Sequence, residues 1–213
     1  MVRRGLVFLF MLVWALPAPA RADASCESDL DSYKGTDAGR LVVAFGASPA
    51  RVNFDTFALY FRSQDRCNVG RLFHLHDNIF FSAKPDITEP KEEGEVWVWS
   101  LKPGNYEFFN FEVSSNNGFG GFSLKSQDDF SIPFTIKARQ TIYLGDFRAM
   151  PVKRPSILFG IHVLSSVTFV VTDQSARDVP IAKAKDASVG NVEIAVPDLS
   201  SLDSPFFKSE TKH

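Results

Sequence analysis

Apolar and polar residues alternate along most of the chain after residue 40. In residues 130–137, Phe, Ile, Phe and Ile alternate with Ser, Pro, Thr and Lys, and residues 166–172 alternate in the same way. Because successive side chains of a β-strand point to opposite faces, each segment predicts a strand with one buried and one solvated face. Eight more segments rich in aromatic and β-branched residues predict further strands. They are residues 41–47, 56–62, 71–81, 95–101, 106–113, 141–147, 157–163 and 192–196.

Patterns typical of helices are scarce. One short helix is predicted for residues 178–187, with Asp178 as its cap, Pro180 in its first turn and Gly190 beyond its end. A helix of this length is too short to stand alone, so it must pack on a sheet. Ten strands and one short C-terminal helix predict an all-β protein, built as an antiparallel β-sandwich.

Two of the predicted strands contain irregularities. In the predicted strand 106–113, Tyr106 and Phe108 would point to one face of the strand, whereas Phe109 and Phe111 would point to the other. A β-bulge at Phe108–Phe109 would return both sets to the core; the alternative is an unbroken strand whose second face is covered by the helix. We favour the bulge, because the polar residues between these aromatics then face outward. Pro133 has no N–H for a second neighbour, which predicts a sheet edge or a bulge at that position.

Residues 1–24 have the order of a secretory signal peptide. Two arginines at positions 3 and 4 precede an apolar run, and small residues lead to a preferred cleavage site after Ala24. The apolar run has about a dozen residues, whereas a membrane-spanning helix needs about 20, so we expect no transmembrane helix after cleavage. Twin-arginine export and cleavage at residues 18–20 remain alternatives. The mature protein is expected to be periplasmic or secreted.

Cys26 and Cys67 are the only cysteines, and both follow the predicted leader. Two thiols of one small domain usually pair in an oxidising compartment, so we predict a disulfide between them. No Cys-x-x-Cys motif occurs, and thiol redox catalysis therefore has no support. Lipid attachment through Cys26 is a minor alternative, because Asp23 stands where lipoprotein leaders normally carry an aliphatic residue.

Replacement of Cys67 by Ser tests the predicted disulfide. We expect the free energy of unfolding to fall by about 2–4 kcal/mol, because the unfolded chain gains conformational freedom when the cross-link is lost. Mass spectrometry of nonreduced peptides from exported protein detects the bond directly. Two freely alkylatable thiols in that material would refute the pairing.

The composition is that of an ordinary globular protein, with 45% hydrophobic and 23% charged residues among 213. The formal net charge of −2 provides no basic field, which argues against nucleic-acid binding. One β-sandwich domain is expected for residues 25–199. The glycine-rich residues 114–129 predict a mobile loop, and residues 200–213 predict a flexible tail. In that tail Phe206-Phe207 is expected to cover the sandwich, with a docking peptide as the alternative.

The segment Val98-Trp-Ser-Leu-Lys-Pro-Gly-Asn-Tyr-Glu-Phe108 places Leu-x-Pro-Gly-x-Tyr between two predicted strands. It resembles the hairpin of transthyretin-like and carboxypeptidase-regulatory-like β-sandwich domains. In such a turn Pro103 sets the backbone, Gly104 takes a positive φ and Tyr106 packs back toward the corner. Together with residues 130–147, the hairpin also resembles small exported bacterial proteins of unknown function. The resemblance implies an immunoglobulin-like or transthyretin-like sandwich in the cell envelope, and it supplies no activity.

Histidines are the best candidates for chemistry. His74 and His76 share one face of a predicted strand, so both rings could bind one metal ion, with His162 as a further ligand. The simpler interpretation is a pair of polar side chains on the outward face, because Phe73 and Leu75 would form the apolar face.

Other reactive groups lack a motif. Gly-x-Ser-x-Gly is absent, Ser-x-x-Lys occurs only at residues 209–212 in the predicted tail, and no cofactor is expected. The carboxylate pairs Glu92-Glu93 and Asp128-Asp129 lie in loop-like sequence, which predicts solvated charges.

A binding surface is the remaining candidate. Trp97 and Trp99 share a strand face and could form a stacking platform, although such a pair is more often part of a core. Asn116, Asn117 and Phe119 belong to the glycine-rich segment and could extend that surface.

These features predict an exported, non-enzymatic β-sandwich that binds a protein partner or an envelope component through loops or an edge strand. The alternative is a metal-binding periplasmic protein centred on His74 and His76.

Overall fold

The computed structural model describes residues 32–48, 55–64, 69–75, 84–116, 121–155, 162–200, 202 and 204–209. The predictions made for the leader and for single residues outside these ranges stay predictions. Those residues are Cys26, Cys67, His76, Asn117 and Phe119.

Twelve strands and one helix make up the described part of the chain. The first six strands are β1 (Gly39–Ala47), β2 (Asp55–Ser63), β3 (Val69–Leu75), β4 (Ile87–Glu89), β5 (Glu92–Leu101) and β6 (Gly104–Asn116). The next four are β7 (Gly121–Lys125), β8 (Ile132–Ile136), β9 (Thr141–Pro155) and β10 (His162–Thr172). Helix α1 (Ser175–Lys185) then precedes β11 (Val192–Ile194) and β12 (Phe207–Ser209). The all-β prediction with one short helix is confirmed.

The strands form two sheets. The larger sheet has the order β12-β10-β9-β1-β5-β4, and β11 lies beside the first part of β9. Three of its pairings are parallel, namely β1 with β9, β9 with β11 and β10 with β12. The smaller sheet has the order β3-β2-β6-β7, and β8 pairs with the first part of β6. Antiparallel pairing predominates, as a sandwich of this class requires.

Aromatic rings fill the space between the two sheets. Phe108 and Phe111 of β6 are wholly buried. Their ring centroids lie 5.1 Å from Phe147 on β9 and 5.2 Å from Phe169 on β10, respectively. Edge-to-face and tilted contacts of this kind add to the stabilisation from buried apolar area. The inner faces of both sheets therefore share one aromatic core.

Strand β6 contains the bulge that its phase slip predicts. Phe61 of β2 pairs with Phe108, while the preceding residue of β2 pairs with Asn110, so Phe109 is the extra residue. Phe109 lies on the outer side, where the Arg62 guanidinium carbon is 4.1 Å from its ring centroid. The bulge is confirmed, and Phe108 and Phe111 remain in the core. The expectation that it returns both aromatic sets to the core is wrong for Phe109, because the extra residue of the bulge points outward.

Strand β8 is an edge strand in the described part of the smaller sheet. It pairs only with β6, and the exposed Pro133 lies opposite Glu107. A strand with one neighbour needs no N–H from the proline on its open side. The prediction for Pro133 is confirmed.

The turn between β5 and β6 is only partly as expected. The Tyr106 hydroxyl donates a hydrogen bond to the Lys102 carbonyl at 2.8 Å, so the ring packs back toward the corner. Gly145 is the glycine with a positive φ among the described residues, and the expectation for Gly104 is therefore wrong. Gly104 already pairs with Ile136 of β8, and ladder pairing requires an extended backbone.

Two segments expected to be irregular contain strands. β7 lies within residues 114–129 and pairs with the end of β6, and β12 lies within residues 200–213 and pairs with β10. Phe207 of β12 is buried, with ring centroids 4.7 Å from Phe130 and 5.2 Å from Phe169. The loop and tail predictions are wrong for these strands. Most side chains of β7 are exposed, so its sequence lacks the apolar alternation that predicts a strand. The strand is stabilised by backbone pairing with β6.

Helix α1 begins at Ser175, earlier than expected, and its C-cap is Asp186 instead of a residue near Gly190. Its N-cap, Gln174, makes no side-chain capping hydrogen bond. The helix packs on the outer face of the larger sheet against β1, β5 and β9, and does not cover β6. In the described residues no helix combines the length and the apolar character needed to cross a bilayer.

Candidate functional site

The surface beneath α1 is apolar on one side and charged on the other. Val42 and Ala44 of β1, Val96 of β5 and Ala182 of α1 form the apolar contact. Near the first turn of the helix, polar side chains from α1, β5 and β9 meet. We call them the α1 charge cluster; its members are Glu92, Tyr143, Asp146, Arg177 and Asp178.

A bulge in β9 brings two cluster members to the same face. The register of β9 against β1 shifts between Tyr143 and Asp146. Gly145 occupies this shift with a φ of +108°, and a Cβ there would lie 3.0 Å from the Thr172 carbonyl oxygen. In a regular strand, residues three positions apart point to opposite faces. The bulge therefore allows both side chains to face α1.

Arg177 is the central cation of the cluster. Its Nη1 donates to Glu92 Oε2 at 3.0 Å, and its Nε donates to Asp178 Oδ1 at 2.6 Å. Its Nη2 lies 3.4 Å from Glu92 Oε1 and 3.3 Å from Asp146 Oδ2. The Arg177 side chain is 19% exposed and the three carboxylates at most 3%. Buried charges are costly unless paired, so these contacts determine how α1 sits on β5 and β9.

Asp178 is fully satisfied within the cluster. The Tyr143 hydroxyl donates to Asp178 Oδ2 at 2.5 Å, and the Gln174 backbone N–H donates to that hydroxyl at 3.3 Å. Burial and the adjacent Asp178 charge raise the pKa of Tyr143, so the phenol keeps its proton. The expectation that Asp178 caps the helix is wrong, because the residue lies inside the first turn and points to the sheet.

Asp146 is the least well paired carboxyl group. It is wholly buried, and neither of its oxygens has a hydrogen-bond partner, although Arg177 lies within ion-pair distance. Thr172 lies opposite Asp146 in the β9–β10 ladder, and its buried hydroxyl has no hydrogen-bond partner. The buried Nε of Arg148 has none either. Buried polar groups without partners are rare in folded proteins.

The pKa shifts follow from this geometry. Burial raises the pKa of Asp146 to about 8, the Glu92 and Asp178 charges raise it too, and Arg177 opposes them. Burial also raises the pKa of Asp178, against the lowering effect of its hydrogen bonds to Arg177 and Tyr143. For Arg177, burial lowers the pKa, but the carboxylates that surround it raise it overall, so the guanidinium stays charged.

The chemistry available in the cluster is ion pairing and proton binding. Arg177 occupies the position between the carboxylates that another cation would need. Across the residues that the structure describes, no group of three or more His, Cys, Asp and Glu side chains could hold a metal ion.

His74 lies inside the sandwich, contrary to the expectation of an outward position. Its side chain is 1% exposed, and its Nδ1 lies 2.9 Å from Glu95 Oε2 on the larger sheet. Leu72 is buried with it, whereas Phe73 and Leu75 are only half-buried, so the parity of this strand is the reverse of the expected one. The partner on the facing sheet explains the reversal, because a buried imidazole needs a hydrogen bond.

The proposed metal site is therefore described only in part. His74 is held by Glu95, while His76 lies outside the described residues. His162 begins β10, and its side chain is likewise not described.

Trp97 and Trp99 face the core. Their ring centroids are 6.4 Å apart, and both pack against the aromatic interior. Val96 and Val98 occupy the other face of β5, beneath α1. The strand is thus covered on both sides, and these tryptophans do not form an exposed platform. Asn116 ends β6 opposite Gly121.

The two carboxylate pairs differ in their surroundings. Glu92 is 2% exposed, so the prediction of a solvated charge is wrong for this residue. Asp128 and Asp129 are exposed, and Asp129 lies 2.9 Å from Arg62 Nη1.

A shallow cleft of about 520 Å³ separates the turn before β9 from the segment after α1. Its lining is polar, and Gln140 hydrogen-bonds Glu193 across it. Lys137 Nζ lies 3.8 Å from the same Glu193 carboxylate. The cleft brings together no reactive group.

The α1 charge cluster has no motif in the sequence, because its members are far apart in the chain. One signal is present in the sequence: Asp146 interrupts the apolar residues 141–147, and a charge in a buried strand needs a partner.

Comparison of this chain with protein-family models, with curated proteins and with solved structures found no match.

Proposed function

We propose that the protein is an exported, non-enzymatic binding module that attaches to a protein partner or an envelope component through one end of its sandwich. The observation that carries the proposal is the position of its exposed apolar side chains. Phe122 on β7 is 43% exposed, and Met150 and Val152 on β9 are 41% and 42% exposed. Ile194 on β11 is 46% exposed, and it is the one other large apolar side chain of the described residues with comparable exposure.

Phe122, Met150 and Val152 belong to the same end of the molecule. Phe108 of β6 contacts Phe147 of β9, and Phe111 of β6 contacts Phe169, which pairs with Ala149 of β9. Strands β6 and β9 therefore run in the same direction. The C-terminal ends of β6 and β9 therefore lie at the same end of the sandwich. β7 pairs with this end of β6, and the start of β10 pairs with this end of β9. Ile194 pairs with Tyr143 near the start of β9 and belongs to the opposite end.

Met150 and Val152 lie on the outer face of the larger sheet, and Phe122 lies at the same end of the smaller sheet. Exposed apolar side chains at one end of a sandwich are typical of an interaction surface. Binding residues are also frequent where strands end, because a rigid sandwich positions the connecting segments. The leader-like residues 1–24 support export. Support for a non-enzymatic role comes from the α1 charge cluster, whose carboxylates are closed beneath the helix and paired by Arg177.

Site-specific photocrosslinking tests the proposal. The chain is expressed with its own leader, and a photoreactive phenylalanine analogue replaces Phe122, Val152 or, as the matched control, Ile194. We expect a discrete crosslinked species in the envelope fraction from positions 122 and 152, and none from position 194. Mass spectrometry then identifies the attached molecule.

A second variant tests whether the two strand pairs act together. With the probe at position 122, the change Val152→Ser should weaken the crosslinked band, whereas Ile194→Ser should leave it unchanged. Equal crosslinking from all three positions, or a band from position 122 with the same intensity in Val152→Ser, would contradict the proposal. Protein retained inside the cell with its leader uncleaved would contradict the export.

A further inference from the structure

The α1 charge cluster contains more buried carboxyl groups than its cation can satisfy. Glu92, Asp146 and Asp178 surround the guanidinium of Arg177. The second guanidinium nearby, that of Arg148, lies 3.9 Å from Glu92. Glu92 receives hydrogen bonds from both Nη atoms of Arg177. Asp178 receives one from Arg177 Nε and one from the Tyr143 hydroxyl. Asp146 receives none, although it is 0% exposed.

Two ionised carboxylates cannot hydrogen-bond to each other, because neither carries a proton. Asp146 Oδ2 and Glu92 Oε1 nevertheless lie side by side, because Arg177 Nη2 is 3.3 Å from the first and 3.4 Å from the second. A proton on Asp146 would turn this repulsive contact into an O–H···O⁻ hydrogen bond, the short and strong kind. One proton would also reduce the excess of negative charge around Arg177.

We propose that Asp146 binds a proton in the folded protein near neutral pH, shares it with Glu92, and thereby holds α1 on the larger sheet. Removal of this proton loosens the helix, so the contact acts as a switch that opens as the pH rises. The groups that face Asp146 come from every element packed around it. Those that interact with it directly are Arg177 and Asp178 from α1, Glu92 from β5 and Tyr143 from β9, and the uncharged Thr172 of β10 lies opposite it. Glu89 of β4 contacts Arg177, and Arg148 of β9 contacts Glu92.

The direction of the pH dependence follows from the burial of Asp146. Its pKa is raised from the ordinary aspartate value of 3.8 to about 8, so the folded chain binds one more proton than the unfolded chain between these values. This contribution to stability is therefore complete below about pH 4 and is lost as the pH rises toward 8. Opening of α1 exposes Asp146 to water and has the same dependence.

Carboxyl-carbon NMR measures the proton directly in the full chain. With ¹³C-labelled Asp and Glu, we expect one Asp resonance to remain in its protonated position at pH 6 and to change through about pH 8. That resonance should be absent from Asp146→Asn and present in the matched control Asp128→Asn, whose carboxyl group is exposed. Ionisation of Asp146 near its ordinary range, or titration of Glu92 in its place, would overturn the proposal.

Hydrogen exchange measures the consequence for the helix. After correction for the chemical exchange rate, protection of the α1 amides relative to those of β2 should fall by at least about tenfold between pH 6 and pH 8. In Asp146→Asn, whose neutral amide imitates the protonated acid, that ratio should stay constant. An equal fall in both proteins, or no fall in the unmodified protein, would show that Asp146 does not operate the switch.

Discussion

Replacing Arg177 by Met is expected to lower the free energy of unfolding by about 3–5 kcal/mol, because it leaves buried carboxylates without their cation. Glu92 and Asp178 would each lose a hydrogen-bonded partner, at 3.0 Å and 2.6 Å in the intact protein. Folded domains are commonly stable by only about 5–15 kcal/mol, so a large part of the stability depends on this one side chain. Urea denaturation at pH 7, followed by tryptophan fluorescence, measures the loss.

Arg40→Met provides the matched control. Arg40 joins the other end of α1 to the sheet, with its Nε 2.8 Å from Ser188 Oγ and 3.5 Å from Asp186, whose side chain is 37% exposed. A partly exposed ion pair contributes about 1 kcal/mol or less, so this variant should stay close to the unmodified protein. Equal losses for both arginines would show that the α1 charge cluster has no special role.

A rescue variant keeps this prediction measurable if Arg177→Met does not fold. Adding Glu92→Gln and Asp178→Asn removes the charges that the missing cation had balanced. The triple variant should recover much of the lost stability, since neutral groups tolerate burial better than unpaired ions. If the triple variant is no more stable than Arg177→Met, then Arg177 stabilises the protein by packing of its aliphatic side chain and not by its charge.

Phe111→Ala is expected to cost about 3–5 kcal/mol, whereas Phe109→Ala should cost about 1 kcal/mol. The two residues are close in sequence, but the bulge separates their environments. Phe111 is wholly buried and its ring centroid lies 4.9 Å from that of Phe206. Phe109 lies outside the core beneath the Arg62 guanidinium. Chemical denaturation of both variants in parallel makes the comparison, and similar losses would contradict the bulged arrangement.

Much of the fold follows from local patterns in the sequence. The alternation of residues 130–137, the phase slip at Phe109 and the missing N–H of Pro133 are all properties of a single strand, and the structure agrees with each. For β3 the sequence predicts the wrong buried face, because its alternation is apolar at Phe73 and Leu75. The partner that draws His74 inward, Glu95, belongs to the other sheet, and no local pattern contains that information.

The α1 charge cluster is non-local to a greater degree. Glu92 looks like part of a solvated acidic pair, and Asp178 looks like a helix cap, when each is judged by its neighbours in sequence. Their burial depends on where α1 lies over the larger sheet, which is a result of tertiary packing. Asp146 alone was conspicuous, as a carboxylate between Gly145 and Phe147 in an apolar strand.

The pairing of β1 has a consequence for the order in which the protein can fold during synthesis. This strand lies in the middle of the larger sheet, between residues 93–101 of β5 and residues 141–149 of β9. A growing chain therefore cannot complete the sheet until β9 has left the ribosome, and the core residue Phe207 emerges later still. Topologies dominated by distant pairings fold slowly. The larger sheet therefore forms only after most of the chain has been synthesised, whereas β2, β3, β6 and β7 of the smaller sheet can pair earlier.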